Sequence, residues 1–175
     1  MRFVEDEDPT RIDLSTDPLS RRFRGVAYHG NTPFDVPFIS EIVPGFYQGG
    51  CEQGLVLPEN IKNVISLYPW EQYEINHDAD RVEHRLYDSA DEPDMEGIVA
   101  IAEAVNEARK SGDTLVHCQA GLNRSGLVAG VALVLDGMSP QEALDTLRES
   151  RSDAVLCNKT FERALLNFKP EEWLV

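Results

Sequence analysis

His117-Cys118-Gln119-Ala120-Gly121-Leu122-Asn123-Arg124-Ser125-Gly126 is the stretch whose reading decides the fold. A short apolar run, Thr114-Leu115-Val116, precedes it, and a long apolar helical run opens near Leu127. Cys118 therefore falls at a strand-to-helix turn. A loop bent around Gly121 aims several main-chain N–H groups at one anion, and the positive end of the helix dipole reinforces them. Phosphate suits such a cradle.

Two side chains make the cradle reactive. The loop donors, the helix end and Arg124 all favour a Cys118 thiolate, the nucleophilic form of cysteine. Arg124, six residues on, closes the far side of the loop, and its planar fork suits two phosphoryl oxygens at once. Ser125 adds a hydroxyl able to donate to the sulfur when thiolate is the leaving group. Gln119, Ala120, Gly121, Leu122 and Asn123 complete the phosphate-binding loop.

Outward from this loop, Ile98, Ile101, Ala102, Val105 and Ala108 recur at helical spacing, with Asp94 as N-cap and Gly112 just past the end. Strands are expected at Val82–Tyr87 and Asn63–Leu67, and Glu41–Gly50 reads as two short strands around a Pro44-Gly45 turn. A strand, a helix and a parallel strand make a right-handed crossover, so Tyr87 and His117 end on one sheet edge. Asp88 is thereby delivered close to Cys118. The loop holding Trp70 and Tyr73 emerges at the same edge, which makes both candidates for a cleft wall; plain packing against the sheet edge is the other reading. Downstream, residues 127–135 form a buried helix, Ser139-Pro140-Gln141-Glu142 is a capping box that opens another, and Asn158 caps a last one. The fold class is α/β: a compact sheet with a mostly parallel centre, flanked by helices.

Composition bounds the rest. Residues 1–39 carry Pro9, Pro18, Pro33 and Pro37 among many charges and keep no sustained period, so they read as a partly irregular extension before a body at 40–175. The net charge of −15 speaks against a general nucleic-acid binder and against anionic membranes. No apolar run reaches the roughly 20 residues of a membrane span, and the N-terminus has no signal-peptide pattern, so a soluble cytoplasmic protein is expected. Cys51, Cys118 and Cys157 are odd in number and lack metal-ligand spacing, which argues for reduced thiols and no metal.

The order His-Cys, five residues, Arg-Ser resembles the signature of the cysteine-dependent protein phosphatases, and its HCxxGxxRS form is most similar to the dual-specificity branch. Rhodanese-like sulfurtransferases, the nearest chemical rival, place four residues rather than five between cysteine and arginine. The resemblance covers roughly residues 40 to 170. It implies hydrolysis of phosphomonoesters, phosphotyrosine and also phosphoserine or phosphothreonine, through a phosphocysteine, with no metal or cofactor. It further implies that Cys118, Arg124, Asp88 and Ser125 are catalytic and that His117 orients the loop. Asp91, on the same acidic loop, is the rival to Asp88 as general acid. A phosphorylated protein or peptide is the expected partner of a monomer. An RNA 5′-end is the runner-up substrate, because related RNA phosphatases also carry asparagine before the arginine, and a catalytically silent phosphate-binding module is the remaining alternative.

Overall fold

The computed structural model describes residues 10–13, 24–29, 32–50, 56–68 and 73–173. Its centre is a five-stranded sheet in the order β4-β5-β8-β6-β7. β4 (Ile39–Val43) and β5 (Phe46–Gly49) form an antiparallel hairpin, and Gly45 takes φ +78° at its turn. β5 is parallel to β8 (Thr114–His117), β8 to β6 (Asn63–Ser66), and β6 to β7 (Asp80–Glu83). Every parallel strand therefore sends its carboxyl end to one edge, where open α/β sheets carry ligand sites. Gly49, Ser66, Glu83 and His117 end there.

All four residues of β8 are buried, as a strand covered on both faces requires. One cover is α2 (Arg124–Leu135), buried nearly all round and wrapped by α1 (Met95–Arg109), α3 (Pro140–Ser150) and α4 (Lys159–Leu166). α2 and α4 approach so closely that a Cβ on Gly130 would lie 2.7 Å from Leu165 Cδ2. The caps are those the sequence implies: Asp94 accepts from Gly97 N, Ser139 and Glu142 form a complete capping box, and Asn158 accepts from Thr160 N and Phe161 N.

Within the partly irregular extension, β1 (Thr10–Asp13), β2 (Arg24–His29) and β3 (Thr32–Pro37) form a three-stranded antiparallel sheet that the sequence reading did not include, and two further expectations need correction. Gly30-Asn31, the pair between β2 and β3 in sequence, is of hairpin type, a signal outweighed by the prolines. The strand expected at Val82–Tyr87 lies at Asp80–Glu83, because its partner β6 has only four residues. Beyond Glu83 the chain leaves the ladder with only His84 N on Ser66 O (2.8 Å) and Leu86 N on Leu67 O (3.5 Å). Finally, α2 begins at Arg124 rather than near Leu127, since apolar periodicity is blind to a polar first turn.

Candidate active site

The end of β8 delivers Cys118 into the loop, and α2 starts six residues later, so residues 118–124 curl between strand and helix. Gly121 makes the curl possible at φ +74°, where a Cβ would come within 2.5 Å of Gly49 C, Gly50 N and Arg151 Nη2. Cys118 Sγ accepts the Gly121 N–H at 3.2 Å and lies 3.3 Å from Ser125 Oγ. The sulfur thus has one main-chain donor and one hydroxyl as hydrogen-bonding neighbours.

Beneath the loop lies a cation that sequence reasoning missed. Arg151, 7 % exposed, donates from Nε to Gly121 O (2.7 Å), from Nη2 to Ala120 O (3.3 Å) and from Nη1 to Ser40 Oγ (3.1 Å). Holding those carbonyls on the underside leaves the loop N–H groups to the other side. Burial pushes the Arg151 pKa down to about 10, with Cys118 opposing, so the guanidinium stays charged at neutral pH. Its place just after α3, beside the already charged Arg148, gave no sequence signal of a loop partner.

Arg124 is 1 % exposed; Nη1 donates to Leu86 O at 3.2 Å and the guanidinium lies 5.0 Å from the Tyr68 ring centroid. Among the described residues Tyr68 is thus an aromatic against the loop arginine. Trp70 lies outside the described residues. Tyr73 is turned elsewhere: its Oη is 3.0 Å from His117 Nε2 and accepts from Arg81 Nε at 2.8 Å. Tyr73 therefore holds His117, as an aromatic next to a buried imidazole finds its hydrogen-bond partner there.

His117 Nδ1 is 3.3 Å from Cys118 O, an acceptor, so the proton sits on Nδ1 and Nε2 receives the Tyr73 hydroxyl. Burial pushes the His117 pKa down to about 4. From the ordinary value near 6.5 down to about 4 the unfolded chain takes up a proton that the folded chain refuses. This contribution to stability is complete above pH 6.5 and is lost as pH falls through that window. Urea unfolding at pH 7 and pH 5 is expected to show a loss about 2 kcal/mol smaller in His117→Gln than in wild type.

The acidic loop separates its two candidate acids. Asp88 is fully buried; its carboxylate accepts from Asn123 Nδ2 (2.8 Å) and Asn158 Nδ2 (2.7 Å). Asn158 N in turn donates to Asn123 Oδ1 at 2.9 Å, tying the acid loop, the phosphate loop and the α4 cap together. Asp91 is exposed, with its backbone N–H on Ser89 Oγ at 3.2 Å. Asp88 is the carboxylate brought to the loop. Gln119, Ala120 and Leu122 are buried loop members, and Leu122 O is held by Leu156 N.

Among the described residues no three His, Cys, Asp or Glu side chains group as metal ligands, and no helix is long and apolar enough to cross a membrane. A cavity of about 570 Å³ lined by Gly45, Arg109 and Asp113 shares no residue with the loop.

The family model "Dual specificity phosphatase, catalytic domain" matches residues 58–171. Cyclin-dependent kinase inhibitor 3 of Rattus norvegicus is 32% identical over 109 residues, 61% of this chain and 48% of that protein. The chain thus spans about half the length of the curated relatives it matches. Among solved structures, human DUSP28 aligns with a TM-score of 0.60 at 15% identity over 73% of this chain and 94% of that one. Kinase associated phosphatase, with its catalytic-site cysteine substituted by serine, aligns at 0.58 and 17% identity over 82% and 98%. At these identities the two structures support the fold alone.

Proposed function

We propose that this chain, which belongs to the dual specificity phosphatase family, hydrolyses phosphomonoesters of proteins through a phosphocysteine on Cys118. The observation that carries the reading is the sulfur itself: Cys118 Sγ sits within hydrogen-bonding distance of Gly121 N and Ser125 Oγ at 3.2 and 3.3 Å, in a loop of phosphate size that ends on Arg124. A silent binding module needs no nucleophile held this way.

The reaction proceeds in two displacements. Cys118 sulfur bonds to phosphorus as the ester oxygen leaves, while loop N–H groups and Arg124 hold the equatorial oxygens. Asp88 gives its proton to the departing oxygen. The resulting carboxylate then takes a proton from water as the water oxygen bonds to phosphorus, and the electron pair of the S–P bond returns to sulfur. Acid 31 against base 16 gives a surface that repels RNA, which places protein substrates ahead of RNA ends. Phosphorylated kinases merit a place among the substrates tried, given the name of the rat relative.

A panel of phosphotyrosine peptide, phosphoserine peptide, RNA 5′-triphosphate and an activated aryl phosphate tests the reading, run with wild type, Asp88→Asn and Asp91→Asn. Wild type is expected to hydrolyse the peptides and the aryl phosphate and to leave RNA untouched. Proton donation matters most for a poor leaving group, so Asp88→Asn should lose about a hundredfold on phosphoserine and far less on the aryl phosphate. Asp91→Asn should lose neither. Activity confined to RNA, or an exchange of behaviour between the two aspartates, would overturn the assignment.

A further inference from the structure

We infer that Gln48 is a positioning residue for the second displacement, its side-chain amide aiming the Ser125 hydroxyl at the Cys118 sulfur; the inference rests on the phosphocysteine reading above. Gln48 lies on β5, fully buried, one strand away from the loop. Nε2 uses its two hydrogens on Gly121 O and Ser125 Oγ, each at 3.1 Å. A carbonyl only accepts, so Gly121 O fixes which end of the amide faces the loop; a flipped amide would set oxygen against oxygen. Ser125 Oγ therefore receives an N–H, and once the sulfur departs as thiolate, with no proton of its own to give, the single hydroxyl proton is free to turn to Cys118 Sγ, 3.3 Å away. With the Gly121 N–H already at 3.2 Å, a departing thiolate meets two donors rather than one.

Stability does not explain this amide. Gln48 Oε1 is buried without a hydrogen-bond partner, a costly arrangement. Gly121 O already accepts from Arg151 Nε at 2.7 Å, and Ser125 Oγ keeps Cys118 as a neighbour. An unbranched apolar side chain of the same length would remove the unsatisfied oxygen and orphan neither partner. What the amide adds is direction at Ser125. In the step concerned, the water oxygen bonds to phosphorus, its proton passes to the Asp88 carboxylate, and the S–P electron pair settles on sulfur facing the Ser125 O–H.

The test is a double-mutant cycle of Gln48→Met and Ser125→Ala, followed by stopped flow with an activated aryl phosphate, with thermal unfolding of each variant. Gln48→Met is expected to leave the rate of the first, bond-forming phase within about twofold and to slow phosphocysteine breakdown about tenfold. Its unfolding midpoint should equal or exceed that of wild type. In the Ser125→Ala background the same substitution should change nothing further. Equal slowing in both backgrounds, or a lowered midpoint with both phases reduced alike, would overturn the inference and leave Gln48 structural. Gln48→Leu serves the same cycle if the methionine variant does not fold. A wild type that turns over no phosphate would overturn the phosphatase reading, and this inference with it; an active wild type with an additive cycle would overturn the inference alone.

Discussion

Cys118→Ser is expected to abolish turnover by roughly four orders of magnitude or more while the loop still binds phosphate. The loop N–H groups belong to the backbone, and Gln48 and Arg151 hold that backbone through Gly121 O, at 3.1 and 2.7 Å, whichever side chain stands at 118. Serine keeps the size of the side chain and can still accept the Gly121 N–H that reaches Cys118 Sγ at 3.2 Å. What it lacks is the sulfur nucleophile. Titrating the variant with inorganic phosphate by calorimetry, beside an aryl phosphate assay on the same preparation, separates the two properties. Binding lost together with turnover would mean that the cysteine holds the loop together rather than reacting in it.

Arg124→Lys is the second large effect, a loss of about a thousandfold in kcat/KM despite the conserved charge. Arg124 is the first residue of α2 and is 1 % exposed, so its side chain has few places to go. The guanidinium reaches Leu86 O at one edge and the Tyr68 ring at 5.0 Å. A planar fork can meet those neighbours and still offer parallel N–H groups to two phosphoryl oxygens. A lysine ammonium is a point charge with no plane to stack. The loss should fall on kcat as well as KM, since the paired contact sharpens as charge spreads over the equatorial oxygens in the transition state. A variant retaining more than about a tenth of wild-type kcat/KM would demote Arg124 to a structural cation.

The loop and its neighbours were legible because their chemistry is local. Nucleophile, turn glycine, arginine and hydroxyl lie within eight consecutive residues, Cys118 to Ser125, and the strand before and helix after declare themselves by apolar content. Asp88 was reachable by topology, since parallel strands end on one edge. Its tie to Asn123 and Asn158 was not, because those residues stand 35 and 70 positions away and their sequence signals are a loop asparagine and an N-cap. The partners of Tyr73 were hidden for a similar reason: the edge rule places a loop, but only a partner fixes a side chain, and His117 and Arg81 stand 44 and 8 positions away. Gln48 did carry a faint signal. Phe46 and Gln48 share one face of β5, and an amide in the register of a buried phenylalanine breaks the apolar pattern. The strands at 10–37 stayed hidden because prolines and charges hide the period-two pattern of short hairpins.

The most direct measurement is peptide mass spectrometry of enzyme acid-quenched within its first turnover of an activated aryl phosphate. Phosphate is expected on the Cys118 peptide in wild type, and none on any peptide of Cys118→Ser. Sustained hydrolysis by wild type with phosphate found on another residue, or on none, would contradict a covalent phosphocysteine mechanism at Cys118.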